Sequence, residues 1–169
     1  MKKIILLFVL AGSIFACTKK EDRAAASTGA NGQNGITIDS SANTDLVRKM
    51  IAAYESGDSA TYRSTYSTDV IFHDNLDSMG IYGNMSIFKV LADKGIKVSI
   101  EVGPVWENQF DKPTAKGYTN FVMGYTTFTY TRGDKTAKTV IFAVDAIKDG
   151  KQAEEWLIYD RTAFAEISK

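Results

Sequence analysis

The sequence predicts a single α+β domain in which a curved antiparallel sheet is wrapped around three N-terminal helices. Two observations carry this. Apolar residues recur at helical spacing between residues 46 and 91, and at the alternating spacing of strands between residues 98 and 164. Helices grouped before strands argue for two layers packed face to face, because a βαβ alternation is absent.

The elements follow in order. Asn43 or Thr44 serves as an N-cap, and Leu46, Val47, Met50, Ile51 and Tyr54 give the first helix one apolar face. Gly57 stops it. Asp58 caps a shorter second helix carrying Tyr62 and Tyr66. Residues 69–74 read as a short strand, followed by a loop through residues 75–82. Asn84 starts a third helix with Ile87, Phe88 and Leu91 on one side, ended by Gly95. Val98, Ile100 and Val102 then alternate with Ser99 and Glu101, the signature of a sheet with one buried face. Residues 105–110 continue that strand past a break at Gly103 and Pro104. Residues 118–130, 138–147 and 153–164 give three more strands, joined by turns at Arg132-Gly133-Asp134 and Asp149-Gly150. The Arg-Gly-Asp tripeptide is read as turn chemistry.

The segment before the domain has a different character. Lys2 and Lys3 precede an apolar run over residues 4–15, which has the charge and length of a secretory signal and is too short to span a bilayer. The run ends Ser13-Ile14-Phe15-Ala16-Cys17, which resembles a lipobox, the bacterial signal cut just before a cysteine that is then acylated. Residues 1–16 are therefore read as a signal peptide and Cys17 as the lipidated residue. Acylation also accounts for a single thiol in an exported chain. Residues 17–42 read as a flexible linker, since the stretch from Ala24 to Gly35 carries small and polar residues and no large apolar side chain. Residues 43–169 form the domain. The expected place is the outer membrane of the cell envelope, on its periplasmic side or at the cell surface, with the bilayer as partner through Cys17. Lys20-Glu21-Asp22 resembles a charged surface-export tag.

Composition narrows the function. Twenty Lys and Arg balance twenty Asp and Glu, so no clustered basic surface for nucleic acid is announced. With one Cys and one His, the chain can form neither an internal disulfide nor a Cys/His zinc cluster. No metal or cofactor is called for.

Three motifs carry a family resemblance: Tyr54-Glu55-Ser56-Gly57-Asp58, the run from Tyr66 to Asp74, and Trp156-Leu157-Ile158-Tyr159-Asp160-Arg161. Their order and spacing resemble the nuclear-transport-factor-2-like (NTF2-like) superfamily, in its SnoaL-like and ketosteroid-isomerase-like branch. The resemblance implies a cone-shaped half barrel open at one end into an apolar pocket, commonly dimeric through the outer sheet face. It also places Asp74 where such enzymes keep a general-base aspartate. Met50 stands at the position of their oxyanion tyrosine and cannot donate a hydrogen bond, and Asp145 falls within a residue of their protonated acid.

Strand alternation puts Asp74 on one face with Phe72 and turns His73 to the other. Trp156 and Ile158 are read as core, and Asp160 shares their face. Phe72, Asp74, Trp106 and Asp160 are thus the pocket candidates, with Asp74 the catalytic one. The missing tyrosine favours non-catalytic binding of a small apolar ligand or an envelope partner. Two alternatives stay open: a cofactor-free SnoaL-like isomerase, dehydratase or cyclase using Asp74, and a dimeric envelope interaction module.

Overall fold

The computed structural model describes residues 34–169. The signal peptide, Cys17 and most of the linker lie outside the described residues. The element order is β1 (Gly35–Ile38), α1 (Ala42–Ser56), α2 (Ser59–Ser64), β2 (Tyr66–Asp74), β3 (Asp77–Gly80), α3 (Ile81–Asp93), β4 (Lys97–Phe110), β5 (Asn120–Arg132), β6 (Lys135–Lys148), β7 (Lys151–Tyr159) and α4 (Thr162–Ser168). The seven strands form one sheet in the order β1-β4-β5-β6-β7-β2-β3. The predicted α+β class, helices clasped by a curved sheet, is the observed one.

Several boundaries differ from the sequence reading, each for a local reason. Residues assigned to the linker form β1, which pairs antiparallel with the end of β4, Gly35 opposite Phe110. A Cβ on Gly35 would collide with the Gln109 carbonyl, so this glycine serves a close backbone approach. Helix α1 is capped by Ser41, two residues before Asn43: its hydroxyl accepts from the N–H of Asn43 and Thr44, while Thr44 Oγ1 accepts from the Ser41 N–H at 2.8 Å. Tyr66 belongs to β2 and not to the second helix, which ends at Ser64. The predicted loop after Asp74 folds into a hairpin, with Asn75 in the left-handed region (φ 54°) and β3 running back along β2. Asp149 (φ 52°) and Gly150 (φ 68°) make the tight β6–β7 turn as expected.

One pairing departs from an all-antiparallel sheet: β2 lies parallel to β7. The connection between them contains most of the domain, which satisfies the need of parallel neighbours for a long crossover. The sheet bends where register shifts, at Val102/Val105 across Gly103-Pro104 and again at Ala146/Ile147. Such bulges increase local twist and curl a sheet around its contents.

The last predicted strand is cut short. It ends at Tyr159, and the Asp160 carboxylate accepts from the Thr162 N–H at 2.8 Å to start α4. A fourth helix thus joins the expected three. Its Ile167 is buried with Leu91, Ile96 and Tyr130, a cluster separate from the larger one built on Val47, Met50, Ile51, Tyr62, Tyr66 and Phe72.

The start of α1 is fastened to the sheet through Glu107. This carboxylate is fully buried and accepts hydrogen bonds from Ser41 Oγ, Asn43 Nδ2 and Asn120 Nδ2. Removing it leaves three half-buried donors without their acceptor. Glu107→Ala is expected to lower unfolding free energy by about 3 kcal/mol and Ser41→Ala by about 1 kcal/mol, read by chemical denaturation.

Candidate functional site

Strand register explains why there is a hollow. Across β5, β6 and β7, Gly124 faces Ala143, and Ala143 faces Leu157. Two small side chains side by side on the inner face leave space that the helices do not fill. The result is a cavity of about 460 Å³. Its walls are mostly apolar, with Val47, Met50, Ile51 and Tyr54 from α1, Ile87 and Val90 from α3, and Phe128, Ile141 and Leu157 from the sheet. Phe164 and Ala165 of α4 complete the wall.

One register step deeper than the small residues lies a row of acids. Glu107 is paired with Val122, Val122 with Asp145, and Asp145 with Glu155. Asp145 and Glu155 both line the cavity and are almost wholly buried. Tyr66 Oη donates to Glu155 Oε2 at 2.7 Å. Neither oxygen of Asp145 has a hydrogen-bond partner. Beside the pair, Tyr62 Oη donates to Asn84 Oδ1 at 2.7 Å, carrying the polar path to α3.

The electrostatics follow from this geometry. Burial, then the Glu155 carboxyl next to it, pushes Asp145 well above the ordinary aspartate range. Burial also raises Glu155, with the Tyr66 hydroxyl working in the opposite direction. Two adjacent carboxyls in an apolar site cannot both ionise cheaply, so they share a proton. The one donor favours the charged form of Glu155, which leaves the proton on Asp145.

The open end is built differently. Asp74, at 24% side-chain exposure, lines the cavity and accepts from Tyr159 Oη at 3.1 Å. Arg161 Nη2 lies 3.2 Å from its Oδ1, and Arg161 Nη1 lies 2.7 Å from Asp77 Oδ2. Asp74 is thus half of an ion pair at the entrance. Met50 and Tyr54 both line the cavity, so the helix that lacks a tyrosine at residue 50 presents one a turn later.

The other pocket candidates are placed elsewhere. Phe72 is fully buried against Tyr66, with ring centroids 4.9 Å apart, and does not reach the cavity. Trp106 points to the outer face of the sheet, beside Tyr125 and Phe142, because Val105 takes the inner position after the bulge. Asp160 is exposed at the start of α4, and its hydrogen bonds from Thr162 hold it below the usual range. Trp156 and Ile158 are not core. Trp156 stacks on His73 outside, with rings 5.2 Å apart, and Ile158 is 63% exposed.

The physical reason is the phase of β7. Leu157 and Tyr159 face inward, so Glu155 does too, and Glu154 faces out with Trp156. His73 does turn outward, where its Nε2 is 2.7 Å from Glu154 Oε1 and its Nδ1 is 2.9 Å from Ser78 Oγ. Glu154 also takes hydrogen bonds from Lys116 and Tyr118. Burial works to raise its carboxyl, but these bonds together with that from His73 prevail and hold it below its ordinary range. Among the described residues, no group of three His, Cys, Asp or Glu side chains is placed to hold a metal ion.

Comparison with known proteins returns relatives by shape alone. No family model and no curated protein matches the sequence. Solved structures do. An LEH-like epoxide hydrolase of M. tuberculosis is 12% identical, with a TM-score of 0.56, covering 75% of this chain and 88% of that one. A protein described as a polyketide cyclase, from Streptomyces antibioticus, is 15% identical with a TM-score of 0.56, covering 74% of this chain and 96% of that one. An NTF2-like protein of Burkholderia thailandensis is 13% identical with a TM-score of 0.56, covering 75% and 97%. At these identities the likeness is one of fold.

The acid pair sets a pH dependence. Below about pH 3 the folded and unfolded chains both hold the Asp145 proton; as pH rises through the ordinary aspartate range, the unfolded chain releases it and the folded chain keeps it, so stability falls until the folded group also titrates. Asp145→Asn removes this term. The variant is expected to be more stable than wild type by on the order of 2 kcal/mol near pH 8, a gap that closes toward about pH 3, as measured by denaturant titration at each pH.

Proposed function

We propose that this chain, which has the NTF2-like fold, is a cofactor-free acid–base enzyme acting on a small apolar compound. The observation that carries this reading is the Asp145–Glu155 pair, two buried carboxyls facing an apolar cavity, of which only Glu155 has a hydroxyl donor, Tyr66. A carrier that merely enclosed a ligand would bear the destabilisation of that pair without using it. Buried acids with raised proton affinity are the means by which carboxyls do proton transfer near neutral pH.

In the resting site Asp145 holds the proton and Glu155 is the carboxylate. Asp145 donates to an oxygen of the substrate, a carbonyl or a strained ether. Glu155 takes a proton from the carbon beside that carbonyl, or from a water attacking the ether. Return of the proton from Glu155 to Asp145 closes the cycle. The apolar walls exclude bulk water and strengthen both transfers. Asp74 gives way to this pair as the first choice for base, because Arg161 and Tyr159 already hold its carboxylate. The solved structures described as an epoxide hydrolase and a polyketide cyclase support the reading by sharing the fold.

The test is nuclear magnetic resonance in D₂O with small cyclic ketones and epoxides. Wild type is expected to speed deuterium uptake beside the carbonyl or opening of the epoxide. Asp145→Asn and Glu155→Gln are each expected to lose ~100-fold or more, and Asp74→Asn less than about tenfold. Wild type inert toward the whole set, or unchanged activity in both floor variants, overturns the reading.

We also propose that lipid on Cys17 holds this domain at a membrane of the cell envelope. The support is the basic start, the apolar run over residues 4–15 and the Ile14-Phe15-Ala16-Cys17 sequence. Expressed in bacteria fed an alkyne-tagged fatty acid, wild type should take the label and sediment with membranes, and Cys17→Ser should do neither. An unlabelled wild type rejects the anchor.

A further inference from the structure

The polar groups of the cavity are unbalanced, and the imbalance describes the molecule that belongs there. Three carboxyls line it: Asp74, Asp145 and Glu155. Arg161 is the one basic side chain among the lining residues, and it is engaged at the entrance by Asp74 and by Asp77. Among the described residues, no basic side chain lines the floor. Both oxygens of the buried Asp145 lack a donor. The space above it is edged by the rings of Tyr54, Tyr62, Phe128 and Tyr130. Aromatic faces favour a cation, and buried carboxylates require one or a hydrogen-bond donor. An anion would meet the Glu155 carboxylate with no basic side chain of the lining beside it.

We propose that the occupant is an apolar amine, a hydrocarbon or aromatic body with a protonated nitrogen seated against Asp145 and Glu155. The inference rests on the cavity being the working site, as read above, and narrows its substrate class to compounds with a basic nitrogen. An ammonium group takes the place of the shared proton: its N–H bonds supply both carboxyls, and its charge allows both to ionise. Binding is then coupled to release of the proton held by the pair. The titratable groups facing the pair are Tyr66 and Asp74 from β2 and Tyr62 from α2, and burial keeps both tyrosine hydroxyls protonated through neutral pH.

Three probes of one shape test this by calorimetry on the purified full chain: 3-phenylpropylammonium, 3-phenylpropanol and 3-phenylpropanoate. The ammonium should bind about tenfold or more tighter than the alcohol, and the carboxylate should not bind. Heats measured in two buffers of different protonation enthalpy should show net proton release for the ammonium alone. The preference should disappear in Asp145→Asn, checked for folding by its thermal melt. Should that variant unfold, the proton release of wild type decides by itself. Alcohol binding as tight as ammonium binding, or ammonium binding without proton release, overturns the proposal.

The ketone and epoxide assay separates the two readings. A chain that turns over those compounds and ignores the ammonium keeps the acid–base function and loses the amine. A chain that binds the ammonium with proton release and is inert in that assay keeps the amine and loses the chemistry proposed for ketones and epoxides.

Discussion

The structure depends on burying carboxyl groups along one row of the sheet's inner face. Glu107, Asp145 and Glu155 stand on that row with only Val122 between the first two. Two of these acids are treated differently. Glu107 is surrounded by Ser41, Asn43 and Asn120, so both its oxygens are met by hydrogen-bond donors and it fixes where the first helix begins. Asp145 has no such company. A buried carboxyl left without a hydrogen-bond partner is tolerated where it has work to do. The same register therefore yields an anchor at one side and a reactive group at the other.

The hollow is as much a product of the sheet as the acids are. Gly124 and Ala143 subtract side-chain volume one step along from Asp145, and Val47, Met50 and Ile51 reach across from α1 without filling the gap. Close packing is the rule for protein interiors, and a well-formed void of this size with polar atoms at one end is an exception that marks a ligand site. At the other end, Arg161 ties together β2, β3 and the start of α4 through Asp74 and Asp77. The entrance is thus framed by charge, the middle by hydrocarbon and ring, and the floor by acid.

The fold was legible in the sequence because its two periods were clean. Leu46 to Tyr54 repeats as a helix should, and Val98 to Val102 alternates as a strand should. The site was legible only in part. Asp145 was flagged through the family resemblance, whereas Glu155 was missed. The reason lies in β7, where both phases of the alternation carry large apolar residues: Trp156 and Ile158 in one, Leu157 and Tyr159 in the other. Each phase also holds a glutamate, so one carboxyl had to face inward whichever phase was chosen. That was a signal present in the chain. Placing Trp156 inside obscured it, as did extending the strand through Asp160 into what is α4. The strand at Gly35–Ile38 was hidden for another cause. Its value lies in backbone pairing with β4, and backbone pairing leaves little mark on composition.

The position of β1 also orients the molecule. Gly35 sits opposite Phe110, past Glu107 and farther from Tyr159 than the acid row is. The chain therefore joins the sheet at the pole opposite the entrance framed by Asp74 and Arg161. A domain suspended from that pole would hang like a cup from its base, its rim turned outward to whatever diffuses past and its base toward the surface that holds it.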